Sequence, residues 1–135
     1  MTPRHFFDTN LLVYMISADP EKADRAERLV RAGGHVSVQV LNEFAHVAMR
    51  KLHVPPDGIE TVMKATVSTC KVHDLTLRDT VNALSLSRHH GFPFYDAVIV
   101  ASALHAGCTT LWSEDFQHGM KLEGRLTVRN PFRAD

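Results

Sequence analysis

Four acidic residues, Asp8, Glu43, Asp96 and Asp115, stand in an otherwise apolar framework, at or near points where strands and helices are expected to meet. Asp8 follows Phe6-Phe7 and precedes Thr9-Asn10. Asp96 lies within Phe94-Tyr95-Asp96-Ala97, and Asp115 closes Leu111-Trp112-Ser113-Glu114-Asp115. Glu43 interrupts the helical pattern Val40-Leu41-Asn42-Glu43-Phe44-Ala45-His46-Val47-Ala48. With Val40 three residues before it and Val47 four after, it shares a face with residues expected to pack on the core. A carboxylate is costly to desolvate unless it is paired or holds a cation. Each aspartate near a helix start also reads, taken singly, as a cap that accepts orphan backbone N–H groups. Capping gives no reason for Glu43, which needs a Lys, an Arg or a metal. A shared divalent cation is the simplest partner for all four, and an all-oxygen ligand set selects Mg2+ or Mn2+ over zinc. Thr9, Asn10, Asn42 and Ser113 stand beside the acids, suited to orient carboxylates or bound water.

The elements that must position these groups follow from the sequence pattern. Arg4 to Asp8 reads as a first strand, with a helix starting at Thr9 or Asn10. Pro20 to Ala32 is an amphipathic helix, with Pro at its first turn, Glu21 and Asp24 early, Arg28 and Arg31 late, and Gly33-Gly34 as a stop. Further strands are predicted at Val36 to Val38, Lys71 to Leu75, Thr109 to Ser113 and Leu126 to Arg129. Further helices are predicted from Gln39 to about Leu52, from Pro56 to Thr69, from Thr76 to His90 and from Tyr95 to Ala106. Short apolar strands alternating with helices predict an α/β fold: a mostly parallel sheet of about five strands flanked by helices in three layers. In such sheets sites form at the carboxyl ends of strands, where Asp8 and Asp115 both fall.

The 135 residues suit one domain, 1–135, with a single core. Fifteen basic and fifteen acidic side chains balance, and the pI is near 7.1. That excludes coating nucleic acid by bulk charge, though not a local basic patch. Cys70 and Cys108 lack C-x-x-C spacing and read as reduced, buried thiols. The nine histidines show no H-E-x-x-H or paired-ligand spacing. Leu11 to Ile16 is too short to span a membrane, and Asp8 interrupts any signal-peptide core, so a cytoplasmic location is expected.

Four motifs together, Phe6-Phe7-Asp8-Thr9-Asn10, Ser37-Val38-Gln39-Val40-Leu41-Asn42-Glu43-Phe44, Tyr95-Asp96-Ala97 and Ser113-Glu114-Asp115, resemble the ordered acidic motifs of PIN-domain nucleases. The resemblance runs from Phe6 to Asn130-Pro131-Phe132. Within that family the chain is most similar to VapC-type toxins of bacterial toxin–antitoxin pairs, which are magnesium-dependent endoribonucleases. The resemblance implies that Asp8, Glu43, Asp96 and Asp115 form the metal site, with Asn10 and Ser113 supporting it. It also implies an RNA substrate, a small antitoxin partner and a two-fold homodimer built by helices such as Pro20 to Ala32 and Pro56 to Thr69. Ala26, Leu29 and Val30, and Ile59, Val62 and Met63, give those helices apolar faces, which the usual role of amphipathic stripes would place on the protein's own sheet.

The chemistry of that ligand set is hydrolysis of RNA phosphodiester bonds by metal-activated water, with no need for a Ser or Cys nucleophile. Asp8 and Asp96 are the expected direct ligands. Glu43 completes the site or positions water, and Asp115 serves a second ion or holds water. Arg50 and Lys51, and Arg88, are the best-placed cations for RNA, although charged residues at helix C-termini also complement the dipole. Two other readings compete. One is a housekeeping RNA-processing nuclease of the same fold, without an antitoxin. The other is a phosphoacceptor receiver module with Asp74 as acceptor; it would need an acidic pair after the first strand and a Lys on the last, where this chain has Asp8-Thr9-Asn10 and Leu126-Thr127-Val128-Arg129, and it leaves Glu43 unexplained.

Overall fold

The computed structural model describes residues 4–133; the ends of the expected 1–135 domain, residues 1–3 and 134–135, lie outside the described residues. The chain runs β1 (His5–Phe7), α1 (Thr9–Met15), α2 (Pro20–Arg31), β2 (Gly34–Ser37), α3 (Val38–Lys51), α4 (Pro56–Thr69) and β3 (Cys70–His73). It continues through α5 (Leu77–His90), α6 (Phe94–His105), β4 (Thr110–Trp112), β5 (Lys121–Leu122) and β6 (Leu126–Arg129). Local chemistry explains the helix limits. Asp19 accepts the N–H groups of Glu21 and Lys22 ahead of Pro20. Thr76 and Asp79 cap α5 reciprocally, and Gly91, left-handed at φ 73°, ends it.

The strands form a sheet in the order β3-β2-β1-β4-β6-β5. All neighbours are parallel except β5, which pairs antiparallel with β6. Five strands were expected, and β5 is the sixth. Only two residues long, it carries no readable alternation. Its register comes from the turn that follows, where Glu123 and Gly124 both take positive φ.

From β1 the chain builds outward in one direction to β2 and β3, and later in the other direction to β4 and β6. The order therefore reverses between β1 and β4, the place where open α/β sheets leave a crevice at their carboxyl edge. Helices α1 to α4 pack among themselves, and α5 packs on α6, as right-handed crossovers leaving in opposite directions require. Phe6, Phe7, Val36, Leu111 and Val128 from the strands meet Leu11, Leu12, Val40 and Phe44 from the helices in the core. The helix α6 is central, with Ala97 through Ala103 all buried.

Gly34 does not end a helix but lies inside β2. A Cβ there would stand 2.6 Å from the His5 carbonyl oxygen and 2.7 Å from the Phe7 ring, so β1 and β2 pack this closely only around a glycine. Ala26, Val30 and Ile59 are buried in the core, with Leu29, Val62 and Met63 packed against it. The apolar faces of α2 and α4 thus pack largely within the chain, with Leu29, Val62 and Met63 only partly buried and Val67 of α4 exposed. Cys70 and Cys108 are buried free thiols, as expected, and burial pushes the Cys108 thiol up to about 12. Among the described residues, no helix is long and apolar enough to cross a membrane.

Candidate active site

Asp8 immediately follows β1, and Ser113 immediately follows its parallel neighbour β4, so the register that pairs Phe7 with Trp112 sets the next two residues side by side. The Ser113 hydroxyl donates to Asp8 Oδ2 at 2.7 Å, and the Thr9 backbone N–H donates to Oδ1 at 2.7 Å. Asp8 is also the N-cap of α1. Capping and site membership are therefore not alternatives here. The carboxyl is only 4% exposed. Burial pushes its pKa up to about 7, against the two hydrogen bonds that lower it, and the charges of Asp115 and Glu43 raise it further.

Ser113 also holds the next acid, because its hydroxyl oxygen accepts the Asp115 backbone N–H at 3.0 Å. The Asn10 amide donates to Asp115 Oδ2 at 3.2 Å. Asp115 does not stand at a helix start, as the sequence pattern suggested; β4 runs instead into bends and turns that lead to β5. Gly119, at φ 85°, breaks that segment before any helical turn closes.

Glu43 lies half-buried in the second turn of α3, one helical step from Gln39. The buried Gln39 amide donates both to the Glu43 carboxylate and, at 3.2 Å, to the Tyr95 carbonyl in the first turn of α6. One side chain thereby ties the Glu43 helix to the Asp96 helix. Asp96 is not a cap, since Pro93 occupies that position. Its pKa is raised first by burial, then by the charges of Asp115 and Glu43. Gln39 is the positioning residue that sequence reasoning missed. Its i,i+4 spacing to Glu43 was the available signal, but the Tyr95 contact is tertiary.

Asp8 and Asp96 each feel both Asp115 and Glu43, so the four acids share one electrostatic field. No salt bridge neutralises any of them among the described residues. Nor, among the described residues, do any three His, Cys, Asp or Glu side chains stand close enough to ligate one ion as they are. Each of Asp8, Glu43 and Asp115 is instead held by a neighbouring donor. Thr9 Oγ1, Asn10 Oδ1 and Gln39 Oε1 are buried beside the acids without a hydrogen-bond partner. Unpaired carboxylates ringed by orphaned oxygens match the donor chemistry of a hard divalent cation.

Two clefts meet at Glu43. One, of about 410 Å³, is lined by Asn10, Tyr14, Glu114 and Asp115; the other, of about 480 Å³, by Gln39, Asn42, His46 and Tyr95. Tyr14 bonds Glu114, and that bond, ahead of burial, pushes the phenol up to about 12. Arg50 and Lys51 in the last turn of α3 and Arg88 in the last turn of α5 are exposed and line neither cleft. Asp74, the acceptor in the receiver reading, is exposed just past the edge strand β3, away from the switch point.

The PIN domain family model matches residues 5–118. No curated protein matches the chain. Among solved structures, a toxin–antitoxin complex from Klebsiella pneumoniae is similar at TM-score 0.69 and 20% identity, covering 96% of this chain and 99% of that one. VapC20 of Mycobacterium tuberculosis, a toxin that cleaves the sarcin–ricin loop, is similar at TM-score 0.66 and 20% identity, covering 82% and 91%. VapBC2 from Rickettsia felis, bound to a DNA fragment from its promoter, is similar at TM-score 0.65 and 18% identity, covering 93% and 98%. At these identities the likeness is one of fold. The family model itself spans most of the chain, which belongs to the PIN-domain family.

Proposed function

We propose that the protein is an endoribonuclease dependent on Mg2+ or Mn2+, acting as the toxin of a toxin–antitoxin pair in the cytoplasm. The observation that carries this reading is the group of four acids at the sheet's switch point, coupled to one another and unmatched by any salt bridge among the described residues. Asp8, Glu43, Asp96 and Asp115 would hold the metal. When bound, a divalent ion acidifies water and polarises a phosphate oxygen. The chain's own residues do the rest. Ser113 fixes the Asp8 carboxylate and the Asp115 backbone, Asn10 turns Asp115, and Gln39 holds Glu43 against the start of α6. With a pKa of about 7, Asp8 would be available near neutrality as the carboxylate that a divalent ion requires. The clefts on either side of Glu43 would admit single-stranded or looped RNA, with Arg50, Lys51 and Arg88 drawing in phosphates from outside.

The toxin reading and its small antitoxin partner draw support from the structural neighbours, two of which are toxin–antitoxin assemblies; the homodimer is proposed from the sequence resemblance alone. Purified protein should cut single-stranded RNA internally with Mg2+ or Mn2+ and stop on addition of EDTA. Asp8→Asn, Glu43→Gln and Asp96→Asn should each remove most of the activity while leaving the circular dichroism spectrum unchanged. Full cleavage by all three variants, or cleavage persisting in EDTA, would overturn the assignment. Growth arrest on expression, relieved by Asp8→Asn or by co-expression of an adjacent small gene, tests the toxin role. Light scattering tests the homodimer.

A further inference from the structure

The largest of the clefts described lies away from the acids, at the other end of α6. Its volume of about 520 Å³ falls in the range of small-molecule sites. It opens between α5, α6 and the turn that joins β5 to β6. Arg78 and Arg125 face into it from two different elements. Among the described residues neither guanidinium makes a salt bridge or a hydrogen bond, although Glu123 lines the same rim.

The third polar wall is fixed from behind. Asp79, 1% exposed, accepts the Thr76 backbone N–H at 3.0 Å and the Thr76 hydroxyl at 3.1 Å. Its other oxygen meets His105 Nδ1 at 2.8 Å. A buried carboxylate therefore holds the imidazole by Nδ1, and the ring lines the cleft. Leu86, Ala101 and Leu104 supply an apolar floor.

We propose that this cleft binds a small phosphate ester, its phosphate held by Arg78 and Arg125 and contacted by His105. Guanidinium forks match phosphate oxygens in geometry and charge, and the apolar floor receives the organic part of the ligand. Glu123 limits the positive charge of the rim, which favours a monoester over a polyphosphate. The inference is independent of the nuclease reading, since Asp96 and His105 lie at opposite ends of α6, nine residues and roughly 13 Å of helix rise apart.

The test is calorimetric titration of the full chain, in EDTA, with AMP, ribose 5-phosphate, inorganic phosphate and adenosine. AMP and ribose 5-phosphate should bind, inorganic phosphate more weakly and adenosine not at all. Arg78→Ala and Arg125→Ala should each weaken AMP binding about tenfold, and the double variant should lose it. Both side chains are exposed, so unchanged melting temperatures are expected. Asp8→Asn should bind AMP as the wild type does. Backbone amide shifts on AMP addition should centre on Arg78, His105 and Arg125. Binding of adenosine as tight as that of AMP, retention by the double variant, loss in Asp8→Asn, or absence of binding at millimolar ligand would each overturn the proposal.

Discussion

Asp8 carries a cost that pH exposes. Its carboxyl has a folded-state pKa raised from 3.8 to about 7, so between those values the native state keeps a proton that the unfolded chain has released. Stability must then fall as pH rises through that window and level off above it. The full difference is at most about 4 kcal/mol. Measured in EDTA, Asp8→Asn has no such proton to lose and should gain on the wild type steadily from pH 4 to pH 7. A constant difference across that range would mean that Asp8 is not desolvated. Gln39 acts by position alone. Gln39→Ala frees the Glu43 carboxylate and unties α3 from the start of α6. Mg2+ affinity should drop by about 10–100-fold, as for other groups that orient ligands, while thermal unfolding in EDTA changes little. An unaltered Mg2+ titration would remove Gln39 from the site.

Among the elements, β1 and β2 show how tightly the site's floor is built. Gly34→Ala drives a methyl group against the His5 carbonyl, and a backbone atom cannot swing aside. Urea unfolding should show a loss of about 1–3 kcal/mol; a neutral result would show that the two strands can part. The same glycine shows where the sequence was hard to read. Next to Gly33 it looked like punctuation, because its role depends on a strand some thirty residues earlier in the chain. Helices were more legible, since periodicity, Asp19-Pro20, Thr76 and Gly91 are local signals. The strand β5 was not, with two residues held only by pairing to β6. At the site, Asp8, Asn10 and Ser113 could be anticipated from strand ends. The bend that carries Asp115 could not, nor could the Gln39 bond to a carbonyl fifty-six residues away.

Over the whole molecule, equal numbers of acidic and basic side chains hide an uneven distribution. Four acids influence one another electrostatically near the point where the sheet reverses direction, and the salt bridges among the described residues lie elsewhere. A divalent ion that binds only the folded form should relieve that repulsion. At a hundredfold excess over its dissociation constant it would add about 2.7 kcal/mol, seen as a melting temperature several degrees higher in Mg2+ than in EDTA. Asp8→Asn combined with Asp96→Asn should abolish that rise; its survival would locate the ion elsewhere. The ends of the sheet have a different consequence. At one end β5 offers two residues running against the rest, and at the other β3 is four residues long with an exposed Lys71. Both rims are poor templates on which a foreign strand could extend the ladder. Such short rims disfavour edge-to-edge fusion between the sheets of neighbouring copies.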